Sequence, residues 1–210
     1  MKNKEDSTKS VFLKKALILF SEKGYDGVTV QDIAKAVGVT APALYKHYKG
    51  KRELFDAIID ESIKSHDETL TMFKGDFKHN LDQARYFLES TEEDEINDIK
   101  KVFLHLLHDE YAVAFRKLMV VEQYKMPELA ELLNQRYIYS QYDQHEALFK
   151  FLMGEGVLKQ GADPRALAVT FVSPIQLLLN VCDREPDKEQ WALETIELHI
   201  RTFNKMYRIK

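Results

Sequence analysis

The sequence predicts an all-α protein: an N-terminal three-helix segment carrying a helix-turn-helix, then a larger C-terminal helical domain. Three observations lead there. Breaker residues are sparse, with 8 Gly and 5 Pro in 210 residues. Apolar residues recur three and four apart along most of the chain, with no alternating strand pattern. Capping residues precede these stretches and glycines follow several of them.

Ser7 and Thr8 are positioned to cap a first helix running to about Lys23, with Phe12, Ala16, Leu19 and Phe20 at helical spacing. Gly24 supplies a left-handed stop. Thr29 caps a second helix, and Asp32 stands at the capping-box position. Ile33, Ala34 and Val37 form its inward face, and Gly38 ends it. Thr40 caps a third helix with Pro42 in its first turn, where a missing N–H costs nothing; Lys49-Gly50 stops it. A fourth, longer helix starts near Lys51 and carries Leu54, Phe55, Ile58, Ile59 and Ile63 to about Lys74-Gly75. Helical patterns follow over 80–89, 95–108, 111–123 and, unbroken, 127–153. Gly154, Gly156 and Gly161 mark the next break. Asp163-Pro164 opens a helix ending near Cys182, with Pro174 inside it, and Pro186-Asp187 opens the last, ending near Tyr207.

Charge divides the chain. Met1 to Arg52 holds 11 Lys+Arg against 5 Asp+Glu, a net of +6, leaving a net of −10 for the rest. A basic head suits a polyanion such as nucleic acid; lysines that merely solubilise a helical surface give the same balance. A single cysteine excludes an intrachain disulfide and points to a reducing compartment. No apolar run reaches 18 residues, and the opening MKNKEDSTKS has no signal-peptide core. A protein of a reducing compartment with no membrane partner is expected. There is no G-x-S-x-G, Gly-rich phosphate loop, H-E-x-x-H or C-x-x-C, so neither enzyme activity nor a cofactor is expected.

Thr29 to Tyr48 is the most informative stretch. Two short helices meet at a tight turn containing Gly38, a helix-turn-helix arrangement. Ala34 is small where the helices cross, and Gly38 can take a positive φ. Ile33, Val37, Val39 and Leu44 point inward and hold the angle. The third helix is then free to lie in a major groove with its N-terminal residues at the base edges. The plainer alternative is an ordinary helix pair within a bundle.

The run GYDGVTVQDIAKAVGVTAPALYKHYKGKRELFDAI resembles the DNA-binding domain of the tetracycline-repressor (TetR) family. The matching pieces are Gly24-Tyr25, Thr29-Val30, Ile33-Ala34, Gly38-Val39, Leu44-Tyr45, His47-Tyr48, Lys51 and Glu53-Leu54, within about residues 8 to 60. The resemblance implies a helix-turn-helix DNA-binding domain over 1–50 and a helical ligand-binding and dimerisation domain over 51–210. It implies a homodimer on a pseudo-palindromic double-stranded operator, usually a repressor. Thr29, Gln31, Thr40, Tyr45, Tyr48 and Lys51 fall on positions that touch DNA in that family. Thr29 and Tyr48 would meet phosphate, Tyr45 phosphate or sugar, and Lys51 phosphate at a helix start. Ala41, Ala43 and Lys46 would face the groove. There the sequence reads Thr-Ala-Pro-Ala instead of the commoner glycine-containing start. Alanine methyls can touch only a thymine methyl, so the operator is not legible.

Aromatics crowd the middle of the chain. They suit a bundle core, or a cavity for an amphipathic or aromatic ligand. By resemblance the pocket lies among the fifth to eighth helices, with Phe103, Leu107, Tyr111, Phe115, Met119 and Tyr142 as lining. Arg116 faces an anionic ligand or is a surface charge. His105 and His108, followed by Asp109 and Glu110, have the spacing of a metal pair or form a plain polar face; no metal is assigned. Cys182 reads as a small buried hydrophobe rather than a thiol sensor.

The family's dimer interface implies a role for the last two helices. Phe171, Ile175, Leu178 and Leu179 on one, with Ile196, Ile200 and Phe203 on the other, would build a four-helix contact; alternatively these stripes pack within one protomer. The expected function is a repressor released from its operator by a small effector. The alternatives are an activator or global regulator on the same fold, or a helical dimer acting through protein partners.

Overall fold

The computed structural model describes residues 4–74, 86 and 88–209; the helix expected over 80–89 lies largely outside them. The elements are α1 (Lys4–Lys23), α2 (Val30–Val37), α3 (Ala41–Leu44), α4 (Lys51–Lys74), α5 (Glu92–His108), α6 (Glu110–Glu122), α7 (Pro127–Leu133), a π-helical turn (Asn134–Tyr139), α8 (Ser140–Gly154), α9 (Pro164–Arg184), a 3-10 turn (Pro186–Lys188) and α10 (Glu189–Tyr207). The described chain is all-α apart from one isolated antiparallel bridge, Leu158 to Arg208. It packs as two compact units: Met1–Asp67 with Asp109–Leu133, and Glu68–His108 with Asn134–Lys210. The boundary expected at 50/51 therefore falls inside the first unit, because α6 packs along α1 and the start of α4 packs on the head.

In the first unit α1 begins at Lys4, so Ser7 and Thr8 lie within it rather than at its cap. Phe12, Ala16, Leu17 and Phe20 are fully buried on one face; Leu17, rather than Leu19, completes the stripe. Phe20 meets Phe55 of α4 edge-on at 5.5 Å. The inward face of α6 is Ala114, Phe115, Leu118, Met119 and, unexpectedly, Glu122.

In the second unit α5, α8, α9 and α10 enclose an aromatic centre. Phe203 lies 5.4 Å from Phe149, 4.9 Å from Phe171 and 4.9 Å from Tyr207. Asp163 caps α9 by accepting the Ala166 N–H at 2.8 Å. Acidic residues at the start of α5 are strapped to α10: Arg201 reaches Glu92 and Glu93, and Arg208 reaches the buried Glu95 at 2.7 Å. By length and composition α9 is apolar enough to cross a bilayer, which counting consecutive apolar residues did not anticipate. Its Leu167, Ala168, Phe171, Val172, Leu178 and Cys182 are instead buried in the unit's own core.

One expectation is corrected here. The helix expected over 127–153 is three segments, because Asn134–Tyr139 winds as a π turn. The Tyr137 carbonyl in that turn accepts the Gln176 side-chain amide at 3.0 Å. The residues expected at a dimer face pack in the core of the single chain. Phe171, Leu178, Ile196, Ile200 and Phe203 are buried within the single chain, and Ile175 and Leu179 pack against the same core. Amphipathic stripes on these helices are satisfied inside one protomer.

Candidate nucleic-acid interface

The candidate surface is built from the turn after α1. Gly24 takes φ +72, a backbone conformation that favours glycine. Tyr25 follows, its ring 4.8 Å from Phe55 and 5.6 Å from Phe20. Lys51, at the start of α4, donates to the carbonyls of Tyr25 (2.9 Å) and Val28 (3.0 Å). Its ammonium stands 4.2 Å over the Tyr25 ring centroid.

Thr29 then caps α2 as expected. Its backbone N–H donates to Asp32 Oδ2 at 2.9 Å, its hydroxyl donates to the same oxygen at 2.6 Å, and it accepts the Asp32 N–H at 3.2 Å. These bonds hold the Asp32 carboxyl below the usual carboxylate range, the Thr29 hydroxyl contributing most. A carboxyl depressed in the folded state stabilises above its unfolded pKa, and that contribution is lost as pH falls through the folded value. An NMR titration should therefore find Asp32 below an ordinary aspartate, and Thr29→Ala should return it upward. An unchanged titration would refute the capping box as the cause.

At the end of α2, Gly38 has φ +81; its N–H bonds to Lys35 O and the Val39 N–H to Ala34 O, the left-handed stop of a Schellman-type cap. Ile33 and Leu44 are fully buried and Ala34 nearly so, which fixes the crossing. Val37 is half-buried and Val39 is exposed, so the inward set is smaller than expected. α3 is one turn long, ending at Leu44 before a run of turns rather than reaching Lys49. Thr40 occupies its N-cap position without a side-chain capping bond.

The expected DNA-contacting residues divide into two groups. Thr29, Gln31, Thr40, Tyr45 and Lys46 are exposed, with Tyr45 55% accessible, and Ala41 and Ala43 are partly so. Tyr48 and Lys51 are placed otherwise. Tyr48 is buried, with its ring edge toward Phe12 at 6.4 Å, and burial raises its phenol pKa. Lys51 directs its ammonium at backbone carbonyls of its own domain. Both are bracing residues in this arrangement. Reasoning from sequence also missed Glu122, which accepts the Tyr25 N–H at 2.8 Å. The available signal was a lone carboxylate at i+4 from Leu118 on the apolar face of a helix.

The other candidates belong partly to each unit. Phe103 is buried in the second unit, with Leu107 and Tyr142 packed against its core. The Tyr142 hydroxyl bonds Ser173 Oγ at 2.9 Å. Tyr111, Phe115 and Met119 lie on α6 in the first unit, where Phe115 and Met119 are buried. A cleft in the second unit lined by Glu95, Phe149, Phe171, Phe203 and Arg208 has a volume of ≈ 20 Å³, room for about one water. None of the six expected lining residues borders it. His108 pairs with Glu189 at 2.9 Å. Among the described residues no cluster of three or more metal-ligating side chains forms.

A capped helix, a left-handed glycine turn and a short second helix with an exposed polar outer face define a helix-turn-helix DNA-binding domain. Residues 12–58 match the model of the "Bacterial regulatory proteins, tetR family". One curated relative is the biofilm operon icaADBC HTH-type negative transcriptional regulator IcaR of Staphylococcus epidermidis. It is 38% identical over 72 residues, 30% of this chain and 39% of the relative. The chain thus aligns with less than half the length of that regulator. A solved TetR transcriptional regulator from Chloroflexus aurantiacus matches with TM-score 0.74 and 18% identity, covering 99% of each chain. SmeT, repressor of the Stenotrophomonas maltophilia multidrug efflux pump SmeDEF, matches with TM-score 0.66 and 21% identity over 96% of this chain and 91% of its own. SmeT has also been solved as a triclosan complex. At these identities the structural likeness establishes the fold.

Proposed function

We propose that this chain is a ligand-responsive transcriptional repressor that binds a palindromic operator as a homodimer in the cytoplasm. One observation carries the reading: Gln31, Thr40, Tyr45 and Lys46 stand exposed on a helix-turn-helix whose inner residues are buried. Polar and cationic groups held on a rigid helix pair are what phosphate positioning and base reading require. Repression is favoured by the curated relative's description as a negative regulator. An aromatic or amphipathic effector is favoured by the triclosan complex of SmeT.

Dimerisation is assigned to the outer sides of α9 and α10. Leu177 and Leu198 are 64% and 67% exposed, with Val169 and Trp191 also exposed on these helices. Large apolar side chains left exposed on these two helices favour association. Two heads about one DNA turn apart, roughly 34–36 Å, would meet adjacent major grooves. An effector that alters this spacing by a coupling of about 1–3 kcal/mol would change affinity roughly 5–150-fold.

The test is selection of bound sequences from random duplex DNA at two salt concentrations. The expected result is a palindromic consensus, bound with a steep salt dependence and lost on Tyr45→Ala. Binding without sequence preference, or a Tyr45→Ala variant that selects the same consensus equally well, would overturn the reading.

A further inference from the structure

Glu122 is fully buried, yet it carries a carboxylate. Its Oε1 accepts the Tyr25 N–H at 2.8 Å, and Lys125 Nζ stands 3.6 Å away. Its Oε2 is buried without a hydrogen-bond partner. Burying a half-satisfied carboxylate is unfavourable. Packing alone would be met by leucine, since Ala114, Phe115 and Leu118 share this face. The carboxylate therefore does something that packing does not ask for.

What it does is legible at Tyr25. Glu122 holds that residue's N–H, Lys51 holds its carbonyl at 2.9 Å, and Phe20 and Phe55 hold its ring. With both backbone groups fixed, the residues that follow reach the Thr29 cap in one geometry. Thus α6 engages the segment that leads into the helix-turn-helix just before α2.

We propose that Glu122 is a positioning residue for DNA recognition: through the Tyr25 backbone it sets the orientation of α2 and α3 without touching DNA. This rests on the DNA-binding reading above. It makes α6 a working part of the DNA-binding head.

The test compares Glu122→Leu with Glu122→Gln in the full chain, using the duplex selected by the wild-type protein and amide exchange at Tyr25. Leucine deletes the acceptor; glutamine keeps one and removes the charge. A hydrogen bond to a charged group is worth enough that Glu122→Leu should weaken DNA binding about 10- to 100-fold. Glu122→Gln should bind close to the wild type. The Tyr25 amide should exchange rapidly in the leucine variant and slowly in the other two proteins. Should Glu122→Leu fail to fold, Glu122→Asp, with a shorter arm, should show the same loss. Equal loss in the glutamine and leucine variants, or a Tyr25 amide equally protected in all proteins, overturns the proposal. If the wild type selects no duplex, the DNA-binding reading fails, and Tyr25 exchange alone still decides whether the clamp exists.

Discussion

Replacing Lys51 with methionine should destabilise the first unit by about 2–4 kcal/mol, the worth of two charge-assisted hydrogen bonds and a cation–π contact in a partly buried setting. The Tyr25 and Val28 carbonyls would lose the ammonium that now satisfies them. DNA affinity should fall with stability, because the turn before α2 loosens. A phosphate-contacting lysine makes a different prediction: stability unchanged, and a salt dependence of DNA binding shallower by about one ion. Thermal unfolding and a salt titration of the same variant separate the two roles. Unfolding at the wild-type temperature would sink the bracing role.

Phe203→Ala should cost about 3–5 kcal/mol, in line with deletion of a large buried aromatic. At the size of this chain, that is a fall of roughly 6–20 °C in melting temperature. The ring is 4% exposed and touches three other aromatic rings. Leu198→Glu, on the same helix but 67% exposed, should leave the melting of the chain nearly untouched and convert dimer to monomer in sedimentation. A wild-type protein that sediments as a monomer would refute the dimer assignment. If Phe203→Ala instead dissociates subunits without loss of stability, the face is the one that the apolar stripe first suggested.

Much of the N-terminal domain was legible because its signals are local. Thr29 and Asp32 are three residues apart, Gly38 sits at its own turn, and Asp163 caps the helix it precedes. Each is read from a window of a few residues. The Lys51 and Glu122 bonds were not legible, since their partners are distant carbonyl and amide groups of Tyr25, which no side-chain pattern encodes. The stripes on α9 and α10 show a different limit. Periodicity shows that Phe171, Ile196 and Phe203 are covered, but not whether by this chain or a second copy. The π turn had no signal either: Asn134–Tyr139 keeps helical composition, and the Gln176 amide that satisfies one of its carbonyls comes from another helix.

The Gly24–Glu122 contact also restricts how this sequence can change. A Cβ at position 24 would lie 2.8 Å from Glu122 Oε1, in addition to the strain of φ +72. Asparagine or aspartate, which tolerate that φ better than other residues, meet the same oxygen. Any side chain at 24 must therefore displace the Glu122 carboxylate, and displacing it gives up the bond to Tyr25. A substitution at 24 should thus reproduce the loss expected of Glu122→Leu while Glu122 itself is unchanged. The two positions are coupled through one oxygen atom, far apart though they are in the chain.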